Sequence, residues 1–329
     1  MKKIIIFVIT LFYAINVRAS IVVMDTDSGR ILYSQNKDEK KLIASTTKIM
    51  TTLIALENSN IKKEVEVKEE ILKVNGSMIY SKINEKYTIE DLLYGLMLRS
   101  GNDAAMTIAT NVLGYDNFIN TMNIKAYEIG MFNTSFENPH GLNDDTKNYS
   151  TANDLALLMK YALKNKEFIK ITSTKKYKNW TNKNELLYDY KYLVSGKIGY
   201  TKKSGQVYVS AASKNNKNLI IASIDEPNKY ELHKNLYETY FNKYKKYKIL
   251  NKYTFSFKTK NNNSHYYIKK DFDMLLTEKE KDKLKIKIDT DNNVVNIFID
   301  NNKIHSERLY KIEEKTKKNL IQEILSFFR

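Results

Sequence analysis

The chain has 329 residues, enough for one large domain and a smaller one, each with a buried core. It has no cysteine, which excludes disulfides and thiolate metal sites. Its formal net charge of +16 favours anionic partners, although in a chain so rich in Lys, Asn, Ile and Tyr many lysines can be plain solvated surface.

Met1-Lys2-Lys3 precedes an apolar run over residues 4–15, and Val17-Arg18-Ala19 follows. A short basic start, a short apolar core and a small-residue exit read as a secretory leader, residues 1–19. The run is short for a membrane span, and an uncleaved N-terminal anchor is the alternative. A mature chain without Lys2, Lys3 and Arg18 would carry +13. An exported protein seldom meets nucleic acid, so lipid head groups or acidic wall polymers are the better anionic partners.

Residues 20–24 and 30–34 are β-prone and flank the turn chemistry of Asp25-Thr26-Asp27-Ser28-Gly29, a hairpin pattern. From Ala44 the period changes: Ile49, Met50, Leu53, Ile54 and Leu56 fall at helical spacing. Thr88-x-Glu90-Asp91 caps a second helix, and the break at Ser100-Gly101-Asn102 leads into a third over residues 104–113. Helices follow at 116–130 and from Thr151 to Leu163, with a loop at Asn138-Pro139-His140-Gly141 between them. Strands are expected at 190–201, 206–213 and 219–225, then a helix at 232–244. Helices segregated from a mainly antiparallel sheet give an α+β architecture over residues 20–245. Residues 246–308 alternate in short β-type runs between Asn and Asp clusters, which predicts a small all-β domain. Residues 309–329 read as an amphipathic helix with Lys315, Lys317 and Lys318 upstream of an apolar face; such a helix lies on a membrane surface or packs on its own domain.

Three short patterns carry chemistry. In Ser45-Thr46-Thr47-Lys48 the serine and lysine lie three apart at a helix start, on one face and within reach. Serine needs a base to become a nucleophile, and burial together with the positive end of the helix dipole favours a neutral lysine. Ser34/Lys37, Ser59/Lys62 and Ser173/Lys176 share the spacing, but only Ser45 opens a long apolar helix that would bury its partner. Ser100-x-Asn102 sits between two apolar helices, where a hydroxyl can relay a proton and an amide can hold a carbonyl; Ser34/Asn36 and Ser213/Asn215 share that spacing too. Lys197-Ile198-Gly199 lies on an expected strand, where a cation attracts a carboxylate and a glycine admits a substrate backbone. The rival Lys203-Ser204-Gly205 reads as the next hairpin turn. His140 is assigned to structure, and the scattered His233, His265 and His305 suggest no metal site.

Ser-x-x-Lys, Ser-x-Asn and Lys-x-Gly, in that order on helix, loop and strand, resemble the active-serine signature of penicillin-binding proteins and serine β-lactamases. The resemblance is closer to the D-alanyl-D-alanine carboxypeptidase family. It is carried by Met24-Asp25-Thr26-Asp27-Ser28-Gly29-Arg30-Ile31-Leu32-Tyr33, Ala44-Ser45-Thr46-Thr47-Lys48-Ile49-Met50-Thr51, the stretch from Glu90 through Ser100-Gly101-Asn102 to Ala105, Asn138-Pro139-His140-Gly141-Leu142, and Gly196-Lys197-Ile198-Gly199-Tyr200-Thr201. It spans residues 20–245. It implies a β-lactamase/transpeptidase-like domain, an antiparallel sheet flanked by helices with a helical subdomain.

The resemblance further implies that Ser45 attacks the carbonyl between two D-alanines, that Lys48 accepts its proton, and that Ser100 passes it to the departing D-alanine. Asn102, Lys197, Gly199, Tyr200 and Thr201 would bind substrate, with the Ser45 and Tyr200 backbone N–H groups as an oxyanion hole. Wall stem peptides are the implied substrates and β-lactams the implied covalent inhibitors; no metal or cofactor is called for. The implied location is outside the cytoplasm, with the tail attached peripherally to the membrane. Ile198 departs from the family's usual Thr or Ser, whose hydroxyl would bond the substrate carboxylate. A β-lactamase is the first alternative, without a Glu-x-x-x-Asn loop between Ser100 and Lys197. A wall-peptide-binding relative without catalysis is the second.

Overall fold

The computed structural model of the protein describes residues 19–259 and 264–313. The expected leader, except Ala19, and residues 314–329 of the expected tail helix lie outside them.

Five antiparallel strands form the central sheet: β1 (Ser20–Asp25), β2 (Ile31–Gln35), β3 (Leu193–Thr201), β4 (Gly205–Lys214) and β5 (Lys217–Ile224). Their spatial order is β2-β1-β5-β4-β3, so β3 is an edge. Both faces of the sheet are covered, which is why the inner strands are almost continuously apolar. Successive residues alternate between two cores. Val22 and Met24 join the first core, with Leu53 of α1 (Lys48–Asn58), Ile108 of α2 (Asn102–Val112) and Leu155 of α3 (Ala152–Ala162). Val23, Tyr208 and Ile221 face the other way, onto Tyr237 and Phe241 of α4 (Lys229–Lys243). This is the α+β arrangement expected from the sequence.

Local chemistry sets several boundaries. The Thr88 side chain accepts from the Asp91 N–H at 3.0 Å and starts the helix Ile89–Tyr94. Thr151 does the same for α3 through Asp154. The helix Lys166–Ser173 was not foreseen: only Phe168, Ile171 and Thr172 are buried, too few to mark a period, and Asn165 caps it through the Glu167 and Phe168 N–H groups.

Beyond α4 the described chain is mainly β. Lys245–Leu250 pairs with Phe272–Leu276, and Leu284–Asp289, Val294–Ile299 and Asn302–Arg308 form a three-stranded sheet. The strand Ser256–Lys258 begins after a turn that the Asn251 side chain closes by accepting from the Tyr253 N–H. One correction concerns the expected helix 309–329. Tyr310–Glu313 is a strand paired with Ser264–Tyr267. Leu309 is buried in the third core and Lys269 stacks 3.9 Å over the Tyr310 ring, which ties this stretch to the β structure.

The strand Phe272–Leu276 joins the two parts. Leu275 belongs to the second core, while Met274 and Leu276 belong to the third. The Leu275 peptide is gripped at both ends: its N–H donates to Asp25 Oδ2 at 3.1 Å, and its carbonyl accepts from Arg30 Nη1 at 3.0 Å. Arg30 also pairs with Glu280. No helix among the described residues is long and apolar enough to cross a membrane.

Candidate active site

Ser45 lies in the 3₁₀ turn Ala44–Thr47, which leads directly into α1. This turn packs on edge strand β3. A Cβ at Gly199 would lie 2.9 Å from the Ser45 backbone nitrogen, so only glycine admits this approach. The other side of the turn is set by the loop after Pro139. Gly141 has φ +91°, and a Cβ there would lie 1.9 Å from the Ala44 carbonyl oxygen. Asn138 holds that loop by accepting from the His140 and Gly141 N–H groups, and Asn148 links it to Thr47 Oγ1 at 3.0 Å. Ala44 itself is held at φ +45°.

Lys48 is fully buried. Its Nζ contacts Ser45 Oγ at 3.0 Å, Asn102 Oδ1 at 2.7 Å and the His140 carbonyl at 2.6 Å. Burial first, and then the neighbouring Lys197 charge, hold its ammonium well below the usual lysine range. A neutral amine has two N–H bonds and one lone pair. The two carbonyl oxygens can only accept, so they take both N–H bonds. In a neutral amine the lone pair would then be left for the hydroxyl of Ser45.

Asn102 is equally constrained. Its Oδ1 accepts from Lys48, its Nδ2 donates to the Asn75 carbonyl at 2.6 Å, and its backbone N–H donates to the Ser77 carbonyl at 2.7 Å. Ser100 follows the π-helical turn Gly95–Arg99, with left-handed backbone at φ +64°. Strained backbone of this kind persists only where the surroundings over-determine it. The Ser100 hydroxyl accepts from Lys197 Nζ at 3.1 Å, and Lys197 also donates to the Ile198 carbonyl at 2.8 Å. Burial, followed by the Lys183 charge, pushes Lys197 down to about 7.

The structure thus brings Ser45, Lys48, Ser100, Asn102, Lys197 and Gly199 together. Thr201 lies two residues further along β3, with its hydroxyl engaged by Ser204 and by Asn143 Nδ2 at 3.3 Å. Tyr200 is exposed. Ile198 sits on the opposite face from Lys197 and packs partly against the second core. The rival lysines are not buried: Lys62 and Lys176 are exposed, and half-buried Lys37 pairs with Asp38. Residues 202–204 form the turn between β3 and β4.

Two contributions escaped the sequence reading. His140 supplies a backbone carbonyl to Lys48, a role independent of side-chain type and therefore silent in sequence. Lys183 donates to Ser77 Oγ at 3.3 Å, and its charge helps lower both buried lysines. It looks like any other lysine of a lysine-rich chain.

The sequence matches the family model for peptidase S11, D-alanyl-D-alanine carboxypeptidase, over residues 14–228. It is 36% identical over 214 residues to the D-alanyl-D-alanine carboxypeptidase DacF of Bacillus subtilis, covering 60% of this chain and 54% of that one. It is 34% identical over 222 residues to DacA of Haemophilus influenzae, covering 63% and 56%. The matched segment thus spans little more than half the length of these two relatives. Among solved structures, penicillin binding protein 5 from Haemophilus influenzae superposes with a TM-score of 0.77 at 25% identity, over 90% of this chain and 96% of that one.

Gly141→Ala tests the packing of the Ser45 turn. The left-handed backbone and the clash with the Ala44 carbonyl together should lower unfolding free energy by about 3 kcal/mol or more in chemical denaturation. A loss below about 1 kcal/mol would show that the loop relaxes freely.

Proposed function

The chain belongs to the D-alanyl-D-alanine carboxypeptidase family, peptidase S11, and from that premise we propose that it removes the terminal D-alanine from wall stem peptides through an acyl-enzyme on Ser45. The observation that carries this reading is the buried Lys48 Nζ, 3.0 Å from Ser45 Oγ and with two carbonyl oxygens to take its N–H bonds. The base is positioned before substrate arrives.

Ser45 Oγ attacks the carbonyl joining the two D-alanines, and Lys48 takes its proton. The oxygen of that carbonyl becomes an oxyanion facing the Ser45 and Tyr200 N–H groups; the fit of Gly199 against Ser45 supports this pairing. The C–N bond then breaks. The proton reaches the departing amine by way of Ser100, and D-alanine leaves. Lys197 and Thr201 attract the terminal carboxylate, and Asn102 holds the amide on the acyl side. Water, deprotonated by Lys48, attacks the ester and frees Ser45. β-Lactams would acylate the same serine.

In the same reading residues 20–245 are the catalytic domain and 246–308 a small β domain. Residues 1–19 act as an export leader, and the basic and apolar run at 315–328 attaches the protein to the outer surface of the membrane.

D-alanine release from a peptide ending in D-Ala-D-Ala, measured with the full chain, should be readily detected and should vanish in Ser45→Ala. No release by folded protein would overturn the proposal. The pH profile follows from Lys197. Below about pH 7 it is charged and attracts the carboxylate; above, that attraction fades in the free enzyme. The kcat/KM is therefore expected to fall as pH rises through neutrality, and a profile flat to pH 9 would contradict the role given to Lys197. Ile198 faces the second core, away from Lys197, so Ile198→Thr should leave D-alanine release within about twofold, whereas a hydroxyl meeting the carboxylate would quicken it about tenfold or more.

A further inference from the structure

Of the ten glycines in the chain, only Gly76 follows an asparagine. An Asn-Gly pair is where a side-chain amide is most open to attack by its own main chain, because glycine has no Cβ to shield its nitrogen. Asn75 and Gly76 are both exposed. Neither the Asn75 side-chain amide nor the Gly76 N–H has a hydrogen-bond partner among the described residues. Gly76 has φ +77°, so the backbone itself calls for glycine there.

The main chain of Asn75, by contrast, is committed to the site. Its carbonyl accepts from Asn102 Nδ2 at 2.6 Å, and Asn102 Oδ1 accepts from Lys48 at 2.7 Å. Two residues on, the Ser77 carbonyl takes the Asn102 backbone N–H. A Cβ at Gly76 would lie 3.5 Å from Asn102 Nδ2. A covalent change at residues 75–76 therefore reaches the residue that positions Lys48.

We propose that Asn75 is a self-modifying site, which loses its side-chain nitrogen as ammonia to become isoaspartate or aspartate and so turns the enzyme down with age. The Gly76 nitrogen bonds to Asn75 Cγ, the Cγ–Nδ2 bond breaks, and ammonia leaves with the proton that Gly76 gives up. A five-membered imide results. Water then opens it. Opening at Cγ leaves aspartate. Opening at the former main-chain carbonyl leaves isoaspartate: the chain now runs through Cβ and Cγ, one methylene longer, and that carbonyl becomes a free carboxylate. One water enters, one ammonia departs, and no other reactant is needed.

The carbonyl so converted is the one to which Asn102 donates. Isoaspartate places a negative charge where a neutral oxygen stood, one side chain away from Lys48, and favours the ammonium over the amine. The added methylene also displaces Ser77 relative to Asn102. The loss of activity rests on the carboxypeptidase reading; the conversion itself does not.

The full chain is incubated at pH 8 and 37 °C, and samples are digested and mapped by mass spectrometry. Peptides spanning residue 75 should gain about one dalton and separate into aspartate and isoaspartate forms, ahead of every other exposed asparagine. D-alanine release should fall in step, the converted protein being slower by about tenfold or more. Asn75→Gln, whose longer side chain closes the ring poorly, should keep its own starting rate over the same incubation. Residue 75 remaining an amide, or converting no faster than other exposed asparagines, would overturn the proposal. So would complete conversion with unchanged release. A fresh chain that releases no D-alanine would sink the catalytic reading instead, and the mass map would still decide the modification.

Discussion

A lysine kept out of water and 3.0 Å from a serine hydroxyl is the constraint on which the site depends. Lys48 is buried at the start of α1 with no ion pair among the described residues, although the Asp103 charge partly offsets the effect of burial. Two carbonyl oxygens, from Asn102 and His140, take its N–H bonds at 2.7 and 2.6 Å. A carboxylate in either place would favour the ammonium and remove the base. Two neutral acceptors stabilise the buried amine without restoring its charge. Lys197 reinforces this arrangement from the other side of the site, since a second cation makes protonation of the first less favourable.

Neutral acceptors must be placed accurately to be useful, and much of the surrounding structure serves that end. The His140 carbonyl depends on the loop that Asn138 and Asn148 fasten, and that loop depends on the backbone freedom of Gly141. The Asn102 amide is fixed by Asn75 and Ser77. Asp103, buried next door, accepts from the backbone N–H groups of Ile79 and Ser81 and so anchors the adjoining segment. Ala44 and Ser100 both carry left-handed backbone, one directly before Ser45 and the other at the proposed relay. The strain sits next to the reacting groups, where the walls are strong enough to hold it.

The sheet and the principal helices were legible because they follow simple periods. The β1–β2 hairpin, α1, α3, α4 and the three strands of the second half all appeared in the pattern of apolar residues. The site's side chains were legible because their types and order are unusual together. What stayed hidden has physical reasons. A backbone carbonyl such as that of His140 leaves no trace in residue type. The helix Lys166–Ser173 buries too little for a visible period. The strand Phe272–Leu276 is apolar but brief. Around Leu309 the sequence favours an amphipathic helix, and pairing of Tyr310–Glu313 with Ser264–Tyr267 overrides it locally. Ile198 was noticed for what it lacks; the structure adds that it packs against the second core.

The double grip on the Leu275 peptide bears on how the molecule comes apart. The side chain of Leu275 sits in the core beneath the central sheet, while those of its neighbours Met274 and Leu276 sit in the core of the β structure. One strand therefore contributes to both. Asp25 and Arg30, which flank the first hairpin turn, hold its backbone from the catalytic side. Pulling the β structure away would tear a residue out of the neighbouring core and strand a buried carboxylate. Melting of the two parts is thereby linked, and heat absorption in one cooperative step rather than two is the expected consequence.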